Sequence, residues 1–286
     1  MKRRDFVKNT TLAIASMPLI TKENPLFSNN ASIRLLRHAT LVLTIGEKNI
    51  LVDPLLADKE AYGAIGTFGS NAKKRNPLVN LPIDKEELEK ILKGIDAILV
   101  THTHTDHWDK VAIKMLDKDK KLFCQPQDLE GMKKAGFKNA EAISATTTWQ
   151  NIKITRTGGQ HGTGEIAKAM APVSGFIVEN DKHKIYVAGD TIWCNEVKEA
   201  IEKHQPTCVI VNAGGAQFNE GEPITMNTAD VITTIKSANN AKVVAVHMDT
   251  INHCHITRKI LQDELQKKEL INKILIPTDG EIISLT

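Results

Sequence analysis

At 286 residues, 41% hydrophobic and 25% charged, the chain has the make-up of an ordinary globular protein of one large or two small domains. A net charge of +3 gives no argument for nucleic acid, and none of the four cysteines stands in a Cys-x-x-Cys zinc spacing. No stretch reaches the ~20 apolar residues of an integral membrane span, and no short-period repeat is present.

The first residues read as a targeting segment. Lys2-Arg3-Arg4-Asp5-Phe6-Val7-Lys8 resembles the twin-arginine export consensus, with a short apolar stretch from Leu12 to Ile20 behind it. Residues 1–30 are therefore set apart as signal and linker, and 31–286 as the folded domain. Such a protein is expected outside the cytoplasm; if the basic segment is only a frayed end, the expectation is cytoplasmic.

Along the domain, Ile33–Ile45 and Lys48–Pro54 read as strands joined at Gly46-Glu47. Residues 56–82 make a long polar loop with Gly and Pro, expected to cover the mouth of a site. It carries Tyr62 and Phe68, which, like Trp108 and Trp193, would either shape the pocket or serve packing. It also carries Lys73-Lys74-Arg75, which would draw an anionic substrate unless it is simply solvated. Asp84, with Glu87 three residues on, caps a helix whose apolar stripe is Leu88, Ile91 and Leu92. Asp96–Val100 is a strand, and residues 109–116 are helical.

Further strands are expected at 121–124, 141–148, 151–157, 208–212, 243–246, 274–276 and 282–285. Residues 176–178 and 185–188 read as a hairpin, and helices are expected near 127–135, 195–204, 227–238 and 257–268. Two αβ halves of this kind pack as an α/β helix–sheet–sheet–helix sandwich. Cys124 and Cys208 read as buried thiols; spacing does not decide whether Cys194 and Cys254 pair.

Between strand and helix lies Thr101-His102-Thr103-His104-Thr105-Asp106-His107. Four metal-capable side chains fall within six positions. His102 and His104, two apart, point the same way on an extended backbone, while Asp106 and His107 lie past the strand end. Imidazole and carboxylate without thiolate suit zinc, manganese or iron. Three later polar residues also follow apolar runs: His161 after Ile152–Thr155, Asp190 after Ile185–Ala188, and His247 after Val243–Val246.

These motifs resemble the metallo-β-lactamase-fold hydrolase superfamily over residues 31–286. The segments Leu36–Leu43, Ile50–Pro54, Asn212–Ala216 and Thr225–Asn227 are similar to its ascorbate-6-phosphate lactonase-like and N-acylphosphatidylethanolamine phospholipase D-like branch. The resemblance implies a four-layer αββα sandwich with two divalent ions, zinc first and manganese or iron as alternatives. His102, His104 and His161 would hold one ion and Asp106, His107 and His247 the other, with Asp190 bridging. Asp53 would orient ligands without binding metal.

The implied reaction is attack of a metal-bridging hydroxide on an ester, lactone or phosphodiester of a small-molecule substrate, anionic ones included. Asp106 would orient the hydroxide and shuttle its proton. His38 is either site-lining or core, His253 either touches substrate or supports ligands, and His255 reads as a loop residue. The alternative is a non-catalytic metal-binding protein of the same fold. Oligomeric state has no reading in the sequence.

Overall fold

Runs such as Ile50-Leu51-Val52 and Val209-Ile210-Val211 are apolar at every position, which fits strands covered on both faces. The computed structural model, which describes residues 31–170 and 172–285, bears this out. The segment read as an export signal lies outside the described residues. Two seven-stranded mixed sheets stack face to face. The first is β1 (Ser32–Arg37), β2 (Thr40–Ile45), β3 (Lys48–Val52), β4 (Ala97–Val100), β5 (Lys121–Cys124) and β6 (Asn139–Ala142), with β14 (Ile282–Ser284) beside β1. The second runs from β7 (Thr146–Trp149) through β8 (Ile152–Thr157), β9 (Gly175–Glu179), β10 (Lys184–Val187), β11 (Cys208–Asn212) and β12 (Lys242–Val246) to β13 (Ile274–Leu275).

One core lies between the sheets, with Leu43, Ile50, Phe123, Phe176 and Ile210 among its buried residues. A second lies outside the first sheet, under α1 (Lys85–Gly94), α2 (Lys110–Met115) and α3 (Leu129–Lys134). A third lies outside the second sheet, under α5 (Asn195–His204), α6 (Thr228–Ser237) and α7 (Arg258–Lys267). The fold is thus an αββα sandwich. The short α4 (Gly164–Ala169) belongs to none of these cores; at six residues it has too few turns to show a period.

Three departures from the sequence reading have physical causes. Ile33–Ile45 is not one strand: the chain reverses at His38, whose φ is +60°, and β1 pairs antiparallel with β2. Residues 141–148 are not one strand either. Ile143 drops into the core between the sheets, so β6 ends one sheet and β7 begins the other. Asp84 caps α1 by accepting from Glu87 N at 2.8 Å, but the Glu87 carboxylate accepts from Arg34 (2.6 Å) instead of closing a capping box.

Strands β3 to β6 run parallel, as do β10 to β13. Their carboxyl ends share one edge of the sandwich, where open α/β sheets place their sites. Asp53 follows β3, the histidine-rich run follows β4, Asp190 follows β10 and His247 follows β12. Among the described residues no helix is long and apolar enough to cross a membrane.

Candidate metal centre

Sharp turns at the strand ends aim the site residues. His38, Asp53 and His247 all have positive φ, at 60°, 44° and 68°. A non-glycine residue held there costs on the order of 1–3 kcal/mol, strain that clusters at functional sites. Gly214 makes a further close approach. A Cβ there would collide with the His247 carbonyl and come within 2.9 Å of Cys254 Sγ.

Two groups result. In the first, His102, His104, His161 and Asp190 offer ligand-capable atoms all within 4.8 Å of one another. In the second, His38, Asp106, His107 and His247 do the same. The Asp190 carboxylate stands between them. Its Oδ1 is 3.2 Å from His247 Nε2, and its Oδ2 is 3.2 Å from His107 Nε2, 3.6 Å from His161 Nε2 and 3.8 Å from His102 Nε2. Asn212 donates to Asp190 Oδ1 at 2.6 Å and holds the carboxylate in place.

The hydrogen-bond partners behind the rings fix what the first group presents. His161 Nδ1 lies 2.7 Å from the Ile224 carbonyl, an acceptor, so Nδ1 carries the proton and Nε2 offers a lone pair. Thr101 Oγ1 gives its hydrogen to Asp53 Oδ2 at 2.7 Å, so its 3.1 Å contact with His102 Nδ1 places a proton on that nitrogen. His102 Nε2 is then bare as well. Both bare nitrogens face His104 Nδ1, at 2.9 and 3.3 Å. Three imidazole nitrogens and a carboxylate oxygen therefore converge with at most one proton among the nitrogens. Burial holds the His102 and His104 pKa values down, which keeps these rings neutral. A buried cluster of acceptors is a poor arrangement for protein alone and a good one for a cation.

In the second group, Asp53 Oδ2 is 2.8 Å from His107 Nδ1 and turns Nε2 into the site. Burial works against a charge on His107, but Asp190, Asp106 and Asp53 outweigh it and lift its pKa to about 10. Burial likewise opposes ionisation of Asp106 and Asp190, yet the neighbouring His107 and its companions hold both well below the usual carboxylate range. His38 is fully buried and meets Asp106 Oδ2 at 3.2 Å through Nε2. Its ring lies on His247 with centroids 3.6 Å apart. Of the two readings open for His38, the structure shows a fully buried ring that touches Asp106 and His247 and does not line the cavity. Behind His247, its Nδ1 meets Cys254 Sγ at 3.6 Å. All four cysteines are free and buried, so Cys194 and Cys254 do not pair.

A cavity of about 390 Å³ opens onto His104, Asp106, His161 and Asp190. The loop at 56–82 supplies Tyr62, Gly63, Ile65 and Asn76 to its wall; Met170, Phe218, Ile224 and Ile251, unremarked in the sequence, supply much of the rest. Among the described residues no Lys or Arg lines it. Lys73-Lys74-Arg75 does not reach the site: all three are exposed, and Arg75 is spent on the Glu60 and Ala61 carbonyls at 2.9 and 3.3 Å. Three of the four aromatic pocket candidates lie elsewhere. Trp108 packs on Phe137 under the first helical layer, Trp193 packs in the second, and Phe68 stacks on His255 at 4.1 Å. His255, read as an ordinary loop residue, anchors the covering loop through Thr67 Oγ1 at 2.9 Å.

Comparison with known proteins agrees with this geometry. The beta-lactamase superfamily domain matches residues 48–248. The chain belongs to the beta-lactamase superfamily. It is 37% identical over 255 residues to the UPF0173 protein YddR of Bacillus subtilis, a match covering 87% of this chain and 98% of that one. Among solved structures it resembles a possible metal-dependent hydrolase from Veillonella parvula, with TM-score 0.85, 33% identity and coverage of 90% and 100%. It also resembles the isothiocyanate hydrolase from Delia radicum gut bacteria, with TM-score 0.82, 34% identity and coverage of 88% and 99%. This member of the superfamily is a metal-dependent hydrolase.

Proposed function

We propose that the enzyme hydrolyses a small, uncharged, largely apolar electrophile with two divalent cations. In this reading His102, His104 and His161 hold one cation, Asp106, His107 and His247 hold the other, and Asp190 serves both. Zinc is the first candidate, with manganese and iron as alternatives. When bound, such a pair supplies hydroxide near neutral pH and Lewis acidity toward the substrate. The residues do the rest. Asp106, kept ionised and facing the cavity, takes the proton of the nucleophile at Oδ2 and returns it to the leaving group. His38 holds that carboxylate in place. The covering loop and Phe218 exclude water and receive the apolar body of the substrate.

The observation that carries the substrate class is that, among the described residues, no Lys or Arg lines the cavity wall. A phosphodiester would meet no counter-charge from the protein, so esters and lactones fit better. The relative named for isothiocyanates adds a further electrophile of the same character. Hydrolysis of an isothiocyanate would add water to its central carbon, and the adduct would part into an amine and carbonyl sulfide. Thiols also add to the central carbon of isothiocyanates, and this chain keeps all four of its cysteines buried. Burial pushes the Cys124 and Cys208 thiols up to about 12, far from the reactive thiolate.

The test is a panel assay of metal-loaded and chelated protein on benzyl isothiocyanate, p-nitrophenyl acetate, a γ-lactone and bis-p-nitrophenyl phosphate. We expect an uncharged substrate to be turned over at least about 100-fold faster than the phosphodiester, with loss on chelation and recovery on adding Zn²⁺ or Mn²⁺. Preference for the phosphodiester would refute the substrate class, and a blank across the panel would favour the non-catalytic metal-binding alternative. A related expectation concerns the thiol behind His247. Cys254→Ala should weaken metal binding by about 10-fold, since groups that orient ligand histidines typically contribute 10–100-fold. Cys254→Ser, which keeps a polar partner, should lose less in a chelator-competition titration.

A further inference from the structure

We infer that His253 is the group that recognises the heteroatom of the substrate, by a hydrogen bond from its imidazole in an otherwise apolar part of the cavity. The inference rests on the hydrolytic reading above but is carried by a separate set of observations. His253 lines the same cavity as Asp106 and Asp190, opposite no charged side chain other than those of the metal centre. It is 5% exposed: its Nδ1 is sealed from solvent without a hydrogen-bond partner, and its Nε2, not sealed and making no hydrogen bond among the described residues, is the nitrogen left to the cavity. A buried nitrogen left unmet weakens a fold, and an apolar ring of the same size would avoid the cost.

The surroundings hold this imidazole firmly. Asn252, the preceding residue, is tied on every side. Its backbone N–H donates to Asn76 Oδ1 at 2.8 Å, its Oδ1 accepts from Asn76 Nδ2 at 2.7 Å and from Ile65 N at 3.0 Å, and its Nδ2 donates to Ile65 O at 2.8 Å. The His253 carbonyl accepts from Gln217 N at 2.9 Å. Phe218 lies nearly parallel to the ring, with centroids 5.8 Å apart and planes 17° apart. The ring is held by its neighbours on the chain and by a flat apolar face, while its Nε2 is left over. That is the arrangement of a preorganised ligand contact. Burial keeps the ring neutral, with its pKa near 4, so it offers one N–H and one lone pair and asks for no charge on its partner. Nitrogen or oxygen beside the scissile carbon of an isothiocyanate, ester or lactone meets that requirement.

Two variants and two probes test this. His253→Phe should keep the two-metal content and a melting temperature at or above that of the parent, because the unmet nitrogen is gone. Its kcat/KM on benzyl isothiocyanate or p-nitrophenyl acetate should fall by 10- to 100-fold. His253→Gln, which restores an amide N–H, should recover part of the loss. In calorimetric binding to the metal-loaded protein, benzamide should weaken at least tenfold in His253→Phe, and toluene should not change. The binding arm needs no turnover, so it stands even if the hydrolytic reading fails. Unchanged benzamide affinity in His253→Phe would overturn the inference. So would equal weakening for toluene, or loss of metal or stability in both variants, which would make His253 part of the scaffold.

Discussion

Replacing Asp190 with Asn should abolish hydrolysis, lowering kcat/KM by at least about 10³-fold, and should cut the bound metal from two equivalents to one or fewer. The expectation follows from where the carboxylate stands. Among the described residues it is the one carboxylate within 3.8 Å of a nitrogen from both histidine groups, so its two oxygens are the electrostatic link between the proposed sites. The amide has the same shape but only one acceptor oxygen and no charge. Asn212 would keep a partner, so the local backbone should hold. The metal-free protein gives an independent readout. There Asp190 opposes the charge on buried His107, and removing one member of a buried ion pair typically costs about 3–5 kcal/mol. A metal analysis still showing two equivalents, with unchanged melting of the metal-free form, would refute the bridging role.

Half of this centre stands in plain view in the sequence, for a physical reason. His102, His104, Asp106 and His107 sit in one short run because an extended strand end followed by a tight turn can present four ligand-capable side chains from six consecutive residues. Here the amides of His107 and Trp108 both donate to the His104 carbonyl, at 2.9 and 2.8 Å, and close that turn. His161, Asp190 and His247 are legible one at a time, since each interrupts an apolar run. Their convergence is not, because it depends on two sheets stacking with their parallel strand ends on the same side.

His38 was harder to place. The residues on both sides of it are apolar enough to extend a single strand, and only a left-handed backbone at His38 turns that run into a hairpin. The cavity wall escaped for a different reason. Phe218, Ile224 and Ile251 come from irregular segments, where an apolar side chain has no period to reveal which way it faces. For the large aromatics the sequence leaves packing and pocket contact equally open. Trp108 and Trp193 were claimed by the helical layers, whose cores need bulk more than the site does.

The loop that covers the site should prove to be fastened rather than free, and Arg37→Met should show it. The Arg37 guanidinium is fully buried and donates to two carbonyls of that loop, Val79 at 2.9 Å and Ala57 at 2.7 Å, and to that of Leu55 just before it at 3.0 Å. Burial lowers its pKa to about 10, while Asp109, Asp279 and Asp58 work the other way and keep it charged at neutral pH. Asp109 answers from the amide side, accepting from Leu56 N at 3.1 Å, Ala57 N at 2.7 Å and Tyr62 Oη at 3.2 Å.

Methionine fills much of the same space but donates nothing. It leaves three carbonyls, two of them on buried residues, without partners, and leaves Asp109 with less compensating charge. The expected loss is about 3–5 kcal/mol, or a fall in melting temperature of roughly 10 °C for a domain of this size. Tyr62, Gly63, Ile65 and Asn76 all hang from this anchorage, so the cavity wall should loosen with it and KM should rise. The residues proposed to hold metal lie outside the loop, so two equivalents should remain bound. Arg37→Lys keeps the charge but cannot span three carbonyls, and its melting temperature should fall between the two. Equal melting of all three proteins would mean that the loop is held by its contacts to Asn252 and His255 instead, and that Arg37 is dispensable to it.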